Sequence, residues 1–283
     1  MTGFSASWLA LREGADHRAR NAALAHRVAG RMSDTPLLRV LDLGSGTGSN
    51  LRASAPHLGP NQEWTLVDYD PALLEEAARA LTRWADDAKA IGDSLVLIKG
   101  GQTIGVSFRI ADLNTELEAV LAKKPDLVTA SALFDLISAP WMARFAKAVA
   151  ASGADFYTVL TYDGRDEFAP AHPLDHAVIA AFATHQSRDK GFGPAAGPKA
   201  ASALADAFRT AGYSVETGDS PWVLDAGDNA LVQELLSGIA GAVSETGLVT
   251  LTALAEWLAF RKAAASKPGA KLVTGHTDIL AFR

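Results

Sequence analysis

The sequence contains no cysteine, and this absence excludes disulfide bonds, thiolate metal sites and every mechanism that attacks a substrate through a thiol. Long apolar runs are also missing, because the hydrophobic stretches are short and interrupted, so no membrane-spanning helix is predicted. Residues 1–5 lack the basic and apolar regions of a signal peptide, and we therefore expect a cytoplasmic protein with no membrane partner.

Positive charge is scarce as well: 26 Lys and Arg residues stand against 32 Asp and Glu residues, which gives a formal net charge of -6. A large nucleic-acid surface needs clustered Lys and Arg to displace counterions, so a nucleic-acid partner is not expected and a small-molecule partner is favoured. With 48% hydrophobic residues in a chain of 283, a substantial core can be buried. No repeat or linker divides the chain, and we expect one domain that is a monomer or a homodimer.

The most informative stretch is residues 40–49, which read V-L-D-L-G-S-G-T-G-S. An apolar run that ends in Asp42 and then in three alternate glycines predicts a buried strand that leaves its sheet through a tight turn into a helix. Glycine tolerates positive φ and lets backbone N–H groups approach a ligand closely. The N-terminus of the following helix favours a carboxylate or a phosphate.

The spacing of the glycines separates the ligand classes. A dinucleotide fingerprint, G-x-G-x-x-G, would need its third glycine at position 49, where the chain has Ser49. The phosphate P-loop is excluded because no G-K-[ST] follows the glycines. The pattern D-x-G-x-G-x-G instead resembles motif I of the class I S-adenosylmethionine (SAM) dependent methyltransferases.

Acidic residues follow the next two predicted strands. Asp68 lies twenty residues past Gly48, where an acid at the end of a second strand can accept both hydroxyls of a ribose. Asp70, followed by Pro71, predicts the N-cap of a helix. The later strand leads to Asp112, which we expect to be free of capping.

That expectation for Asp112 depends on the next helix, for which Thr115 and Glu118 predict a capping box. A fourth strand over 126–131 ends at Ser131. The four strand ends follow one another in the order that the resemblance leads us to expect.

The resemblance implies an α/β fold with a doubly wound, seven-stranded, mostly parallel sheet whose antiparallel last strand inserts between the fifth and the sixth. It also implies SAM as cofactor and S-adenosylhomocysteine as product. The turn would bind the amino-acid end of SAM, Asp68 its ribose and Asp112 its adenine, while Asp42 would orient the loop or reach the methionyl ammonium. The expected cofactor-binding residues are Asp42, Gly44, Ser45, Gly46, Thr47, Gly48, Asp68, Tyr69, Asp112, Leu113 and Ser131.

The acceptor side is expected after the fourth strand. Asp135 stands in an otherwise apolar segment, and a buried acid is costly unless it has a partner, so we interpret it as the catalytic general base. His17 and Tyr162 are the alternatives, and a structural cap or ion pair is the other interpretation of Asp135. The expected acceptor contacts are Trp8, Arg12, Arg20, Phe134, Tyr162, Arg165, Lys190 and Phe192.

Within the single domain we distinguish four parts. Residues 1–35 form an N-terminal helical lid, 36–161 the SAM-binding core, 162–197 an insertion on the substrate side, and 198–283 the rest of the sheet with extra helices. The predicted elements outside the strands already named are helices over 5–30, 72–90, 175–186, 199–211, 228–242 and 250–265, a hairpin of 94–98 and 103–110 around Gly100-Gly101, and strands over 156–161, 213–217 and 278–283.

The resemblance therefore predicts methyl transfer to a small-molecule acceptor with an O, N or C nucleophile. No [DN]-P-P-[YF] follows the fourth strand, no metal-binding cluster is apparent, and the missing cysteine excludes the thiol-dependent route to pyrimidine C5. Two alternatives stay open. One is a methyltransferase that docks tRNA or protein on 162–197 and on the Arg-rich N-terminus, and the other is a non-catalytic SAM-binding regulatory protein.

Overall fold

The computed structural model of the protein describes residues 4–283. The helices are α1 (Ala6–Ala19), α2 (Ala22–Met32), α3 (Ser49–Ser54), α4 (Pro71–Trp84), α5 (Leu113–Leu121), α6 (Ala139–Ser152), α7 (Asp175–Gln186), α8 (Ala200–Thr210), α9 (Asn229–Ser244) and α10 (Leu251–Ala265). The strands are β1 (Leu38–Leu43), β2 (Asn61–Asp68), β3 (Asp87–Ile91), β4 (Ser94–Lys99), β5 (Gln102–Ile110), β6 (Leu127–Ser131), β7 (Asp155–Ala169), β8 (Ser214–Asp219), β9 (Trp222–Leu224) and β10 (Lys271–Phe282).

These strands form one sheet in the order β3-β4-β5-β2-β1-β6-β7-β10-β8, with β9 paired to β10. The five strands from β5 to β7 are parallel to one another, and β10 is antiparallel between β7 and β8. This arrangement confirms the predicted doubly wound sheet and the position of its last strand. Three strands extend the predicted seven, and of these only β4 was predicted as a strand.

The predicted helix over 72–90 is wrong at its C-terminal end, over residues 85–90. Helix α4 ends at Trp84, and the chain then forms β3, which pairs antiparallel with β4 across a turn at Gly92. The Ala and Lys residues of β3 favour a helix when taken alone, but pairing with the edge of the sheet overrides this weak preference. The hairpin at Gly100-Gly101 is confirmed, and both glycines have positive φ, +55° and +83°.

The single helix predicted over 5–30 is in fact two helices, α1 and α2. The chain breaks at Asn21, whose side chain accepts a hydrogen bond from the Leu24 N–H at 3.1 Å and so caps α2. The Asn21 backbone N–H donates to Asp278 Oδ2 at 2.8 Å. A long-range contact with the last strand therefore decides where α1 ends.

The fifth predicted strand, 156–161, is also too short. Strand β7 continues to Ala169 because β10, predicted only over 278–283, begins at Lys271 and pairs with it along its length. The start of the segment predicted as an insertion, 162–197, is therefore regular sheet. Tyr162 and Arg165 lie in this extension.

The sheet separates two cores. On one face, α5, α6 and α8 pack over Phe145, Phe156 and Phe208, whose rings lie 4.6–5.8 Å apart. On the other face, α2, α3 and α4 cover the apolar side chains of β1, β2 and β6. A third core lies under α7, α9 and α10 around Trp257. None of the helices in residues 4–283 combines the length and apolar character needed to cross a bilayer.

Candidate cofactor and acceptor site

The turn after β1 needs its three glycines. Gly44, Gly46 and Gly48 have φ of +59°, +52° and +75°, a region that side chains rarely adopt. A β-carbon at Gly46 would also lie 3.0 Å from Leu9 Cδ1, and one at Gly44 would lie 3.2 Å from Leu133 Cδ1. The predicted tight turn is therefore present, and both its conformation and its surroundings select glycine.

Asp68 ties this turn to the end of β2. The Gly46 N–H donates to Asp68 Oδ2 at 2.8 Å, and the Asp70 N–H donates to Asp68 Oδ1 at 3.0 Å. Burial raises the pKa of Asp68, and the backbone N–H groups partly offset this rise. The Ser45 N–H donates to Val67 O at 3.0 Å, so two N–H groups of the turn have partners within the protein.

The turn also carries polar atoms with no partner. Asp42 is fully buried, and its Oδ1 accepts from Asn50 Nδ2 at 2.7 Å, whereas its Oδ2 has no hydrogen-bond partner in residues 4–283. Ser45 Oγ is buried and unpartnered in the same way. Burial raises the pKa of Asp42 to about 7. Buried polar atoms normally have partners, so these two atoms fit a polar ligand group at the turn.

Two further predicted residues lie at neighbouring strand ends. The Ala111 N–H donates to Asp68 O at 3.0 Å, which places Asp112 beside the end of β2. Ser131 ends β6, next to β1, and Ala132 then turns the chain away with a φ of +50°. We call the line of Asp42, 44–48, Asp68, Asp112 and Ser131 the cofactor edge.

Asp112 does not have the free side chain that the sequence suggested. It is the N-cap of α5 and accepts from the Asn114 N–H at 2.9 Å, while its own N–H donates to Glu116 Oε1 at 3.2 Å. The predicted capping box is wrong because Glu118 instead pairs with Arg144 at 2.5 Å. Asp70 caps α4 as predicted, accepting from the Ala72 N–H at 2.9 Å.

Helix α1 lies over the cofactor edge. Besides the contact of Leu9 with the turn, Glu13 pairs with Arg52 through two hydrogen bonds of 2.8 and 2.7 Å. Arg52 in turn donates to Thr47 O at 2.7 Å. These contacts connect the N-terminal helix to the turn from two sides.

A group of buried and half-buried polar side chains lies between α1 and the extensions of β7 and β10. Tyr162 Oη donates to Asp166 Oδ2 at 2.5 Å, and the rings of Tyr162 and His276 are 6.3 Å apart. Burial is the main influence on the pKa values of Asp135 and His276, and Arg12 is close enough for its charge to act on both. We call Arg12, Asp135, Tyr162, Asp166 and His276 the polar cluster.

Burial dominates the electrostatics of this polar cluster. It raises the pKa values of Asp135 and Asp166 to about 6 each and lowers that of His276 to about 3. His276 is therefore neutral near pH 7, and its Nδ1 is buried without a partner in the part of the chain described. Arg12 is fixed by Asp16 at 2.9 and 3.1 Å.

The residues predicted to contact the acceptor do not all lie in one place in the structure. Arg12 and Tyr162 lie in the polar cluster with Asp135, and Arg165 lies next to it, exposed and paired with Asp163 at 2.6 Å. Trp8 is partly buried against the third core. Lys190 is partly buried in the loop before Phe192.

Three predicted acceptor contacts lie elsewhere. Phe134 is 0% exposed between Phe145 and Phe156, so its prediction as an acceptor contact is wrong: the ring completes the aromatic core. Phe192 packs edge-on against Trp141, on the side of α5 and α6. Arg20 lies on the opposite sheet face, where it donates to Ser54 Oγ and Asn50 Oδ1.

Other predicted cofactor contacts differ in exposure. Tyr69 is half exposed just after β2, while Leu113 is buried in the core below Asp112.

Sequence reasoning missed Asp166 and His276. Both belong to strand segments that were predicted as loop or left unassigned, and neither is part of a local motif. The register of β7 and β10 places His276 opposite Tyr162 and Asp166 opposite Thr274, so their proximity becomes visible only when this pairing is known.

No family model matches the sequence, and no curated protein matches it. Solved structures, in contrast, do match this chain. A cyclopropane-fatty-acyl-phospholipid synthase-like protein from Lactobacillus casei is 16% identical, with a TM-score of 0.56 over 99% of this chain and 95% of that chain.

Two further solved structures match at lower TM-scores. A cyclopropane synthase from Mycobacterium tuberculosis is 10% identical, with a TM-score of 0.49 over 98% of this chain and 94% of that chain. A SAM-dependent methyltransferase from Thiobacillus denitrificans, in complex with S-adenosyl-L-homocysteine, is 18% identical, with a TM-score of 0.45 and full coverage of both chains. The Lactobacillus likeness and the strand order together show that this chain has the Rossmann-like fold of the class I methyltransferases.

Proposed function

We propose that the protein binds SAM along the cofactor edge and transfers its methyl group to a small-molecule acceptor. The observation that carries this proposal is the turn of three left-handed glycines tied to Asp68 by the Gly46 N–H. It lies where the strand order reverses, between β1 and β6, which is the crevice that binds ligands in doubly wound sheets.

The residues of the cofactor edge fit the parts of SAM. The unpartnered Asp42 Oδ2 and Ser45 Oγ would bind polar atoms of its amino-acid end. Asp68, whose carboxylate keeps acceptor capacity beyond its two backbone bonds, would bind the ribose, and Asp112, next along the edge, would face the adenine. Tyr69 and Leu113 would flank these groups. When bound, SAM supplies a sulfonium that is already a strong methyl donor.

The polar cluster would then position and deprotonate the acceptor. With a pKa of about 6, Asp135 is ionised near pH 7 and can accept a proton from a hydroxyl or an ammonium group. Arg12, fixed by Asp16, would orient a polar acceptor from the side of α1. Because α1 covers the strand ends, an acceptor that enters beneath it must be small.

Calorimetric titration of SAM and of S-adenosylhomocysteine tests the cofactor proposal. We expect both to bind, and we expect Asp68→Asn to weaken binding by about 10- to 100-fold, since it removes a charged acceptor. Asp70→Asn is the matched control, because Asn also caps helices well, and the affinity of this variant for both nucleosides should stay within about threefold of the wild-type value. Absence of heat with both nucleosides would refute the proposal.

Turnover needs a separate experiment. Formation of S-adenosylhomocysteine, measured against a panel of small phenols, amines, carboxylates and unsaturated lipids, would identify the acceptor class. A protein that binds SAM but consumes none with any acceptor would support the regulatory alternative instead.

A further inference from the structure

A cavity of about 390 Å³ lies on the sheet face that α2 and α3 cover, below the cofactor edge. Trp64, Leu127 and Tyr157 form its floor, on β2, β6 and β7. A volume of this size is in the range of small-molecule pockets, roughly 300–1,000 Å³. The cavity is separate from the glycine turn, because Asn50, which binds Asp42, stands between them.

The ionisable side chains that line this cavity, Tyr157 aside, are all basic. They are His17, Arg20, His26, Arg52 and His57, and the residues lining the cavity include no Asp or Glu. Arg52 is already neutralised by Glu13 at 2.7 Å. The lining therefore combines basic side chains, among them the guanidinium of Arg20, with an apolar floor.

Arg20 is the arginine in this lining that makes no salt bridge within the described residues. Its guanidinium donates to Ser54 Oγ at 3.0 Å and to Asn50 Oδ1 at 2.8 Å, both neutral groups. No carboxylate in residues 4–283 lies within salt-bridge distance of it, and its buried Nε has no hydrogen-bond partner there. A partly buried guanidinium normally pairs with an anion, and here the carboxylates of Asp16, Asp42 and Asp278 act on Arg20 only from beyond salt-bridge distance.

Tyr157 adds a second unused donor. Its side chain is only 4% exposed, and its hydroxyl has no hydrogen-bond partner in the described residues. Tyr157 and Arg20 line the same cavity. Two side chains that each carry a donor without an acceptor in residues 4–283, Arg20 Nε and Tyr157 Oη, thus line one cavity.

We propose that this cavity binds a small organic anion, a carboxylate or a phosphate monoester with a compact apolar part. The anionic oxygens accept from the side chains of Arg20 and Tyr157, while the apolar part packs on Trp64 and Leu127. The site lies apart from the cofactor edge, and its existence does not depend on whether the protein binds SAM.

The test uses the full-length protein without nucleoside and two anionic probes, benzoate and inorganic phosphate, with benzamide as a neutral match for benzoate. Binding is followed by calorimetry and by NMR titration at constant ionic strength, since salt screens exposed charges. We expect at least one anion to bind with a Kd of about 1 mM or tighter, and benzamide to bind at least about tenfold more weakly. Preference for benzoate or for phosphate distinguishes a carboxylate ligand from a phosphate ligand.

Two variants test whether the anion binds beside Arg20 and Tyr157. Arg20→Gln should weaken it by about tenfold or more, and Tyr157→Phe by about three- to tenfold. Tyr157→Phe keeps the test decisive if Arg20→Gln unfolds, because the hydroxyl it removes has no protein partner to lose. Arg27→Gln is the control, since Arg27 lies on α2 outside the cavity and pairs with Glu216 at 2.7 Å.

The result that supports the proposal is anion binding that Tyr157→Phe weakens and Arg27→Gln leaves unchanged. Failure of both anions to bind below about 10 mM would overturn it. Binding that neither Arg20→Gln nor Tyr157→Phe affects would overturn it as well.

Discussion

The cofactor edge and the polar cluster lie on neighbouring parts of the same sheet, yet they are built in different ways. The glycine turn is a local feature, in which an acid and three glycines within seven residues set the backbone conformation. The polar cluster combines Arg12 from α1, Asp135 from the loop after β6, and side chains from the extensions of β7 and β10. A site made by backbone geometry can be recognised in a sequence, whereas a site made by long-range pairing cannot.

The largest effect should come from the polar cluster. With the acceptor that the turnover screen identifies, Asp135→Asn should lower kcat by about 10²- to 10⁴-fold, the usual contribution of a general base. The wild-type rate should rise with pH through about 6, where Asp135 ionises. The rate of the variant should not show this rise. Unchanged SAM affinity is the control, and an equal loss of SAM affinity would place Asp135 on the cofactor side instead.

Asp42 tests how burial affects the cofactor edge. In the folded protein the pKa of Asp42 is about 7, above the usual value of 3.8. Between these two pH values the folded state retains a proton that the unfolded chain releases. The free energy of unfolding should therefore decrease as the pH rises from 4 to 7. Asp42→Asn should remove this fall, on the order of a few kcal/mol. Urea unfolding at pH 5 and pH 8 measures the difference, with the exposed Asp93→Asn as control. An unchanged pH slope in Asp42→Asn would contradict the assignment.

The glycine turn can be compared with a second turn of the same backbone type. Gly46→Ala and Gly101→Ala both place a side chain at positive φ, which costs roughly 1–2 kcal/mol of stability. Gly101 has open space around it and lies far from the cofactor edge in the β4–β5 hairpin. Only Gly46→Ala should therefore weaken SAM binding, by about tenfold. Equal affinities of the two variants would show that the turn does not contact the cofactor.

The smallest effect concerns α1. The charge of Arg12 lowers the pKa of Asp135, so Arg12→Gln should move the acid limb of the rate profile to slightly higher pH. Arg18→Gln is the matched control on the same helix, because Arg18 pairs with Asp228 at 2.6 Å, away from the polar cluster. If the acid limb of the rate profile shifts equally in both variants, or in neither, α1 does not take part in catalysis.

Elements with strong local signals could be predicted. Asp70 and Pro71 begin α4, Gly100-Gly101 turns the β4–β5 hairpin, and α7 has the predicted bounds. Errors arose where pairing with another segment overrides a local preference. The hydrogen bond from the Asn21 N–H to Asp278 sets the break between α1 and α2, and pairing with the edge of β4 makes 87–91 a strand.

By itself, the sequence determined the strand–turn–helix at 40–49, the order of the acidic strand ends and therefore the class of fold, because these depend on glycine conformations and apolar periodicity within short windows. Only the tertiary structure decided that Phe134 is core and that Asp166 and His276 join Asp135, and only it left Arg20 and Tyr157 lining a cavity without an acceptor. The physical reason is that burial and electrostatic surroundings depend on which distant segments pack together, and no single window of sequence contains both partners.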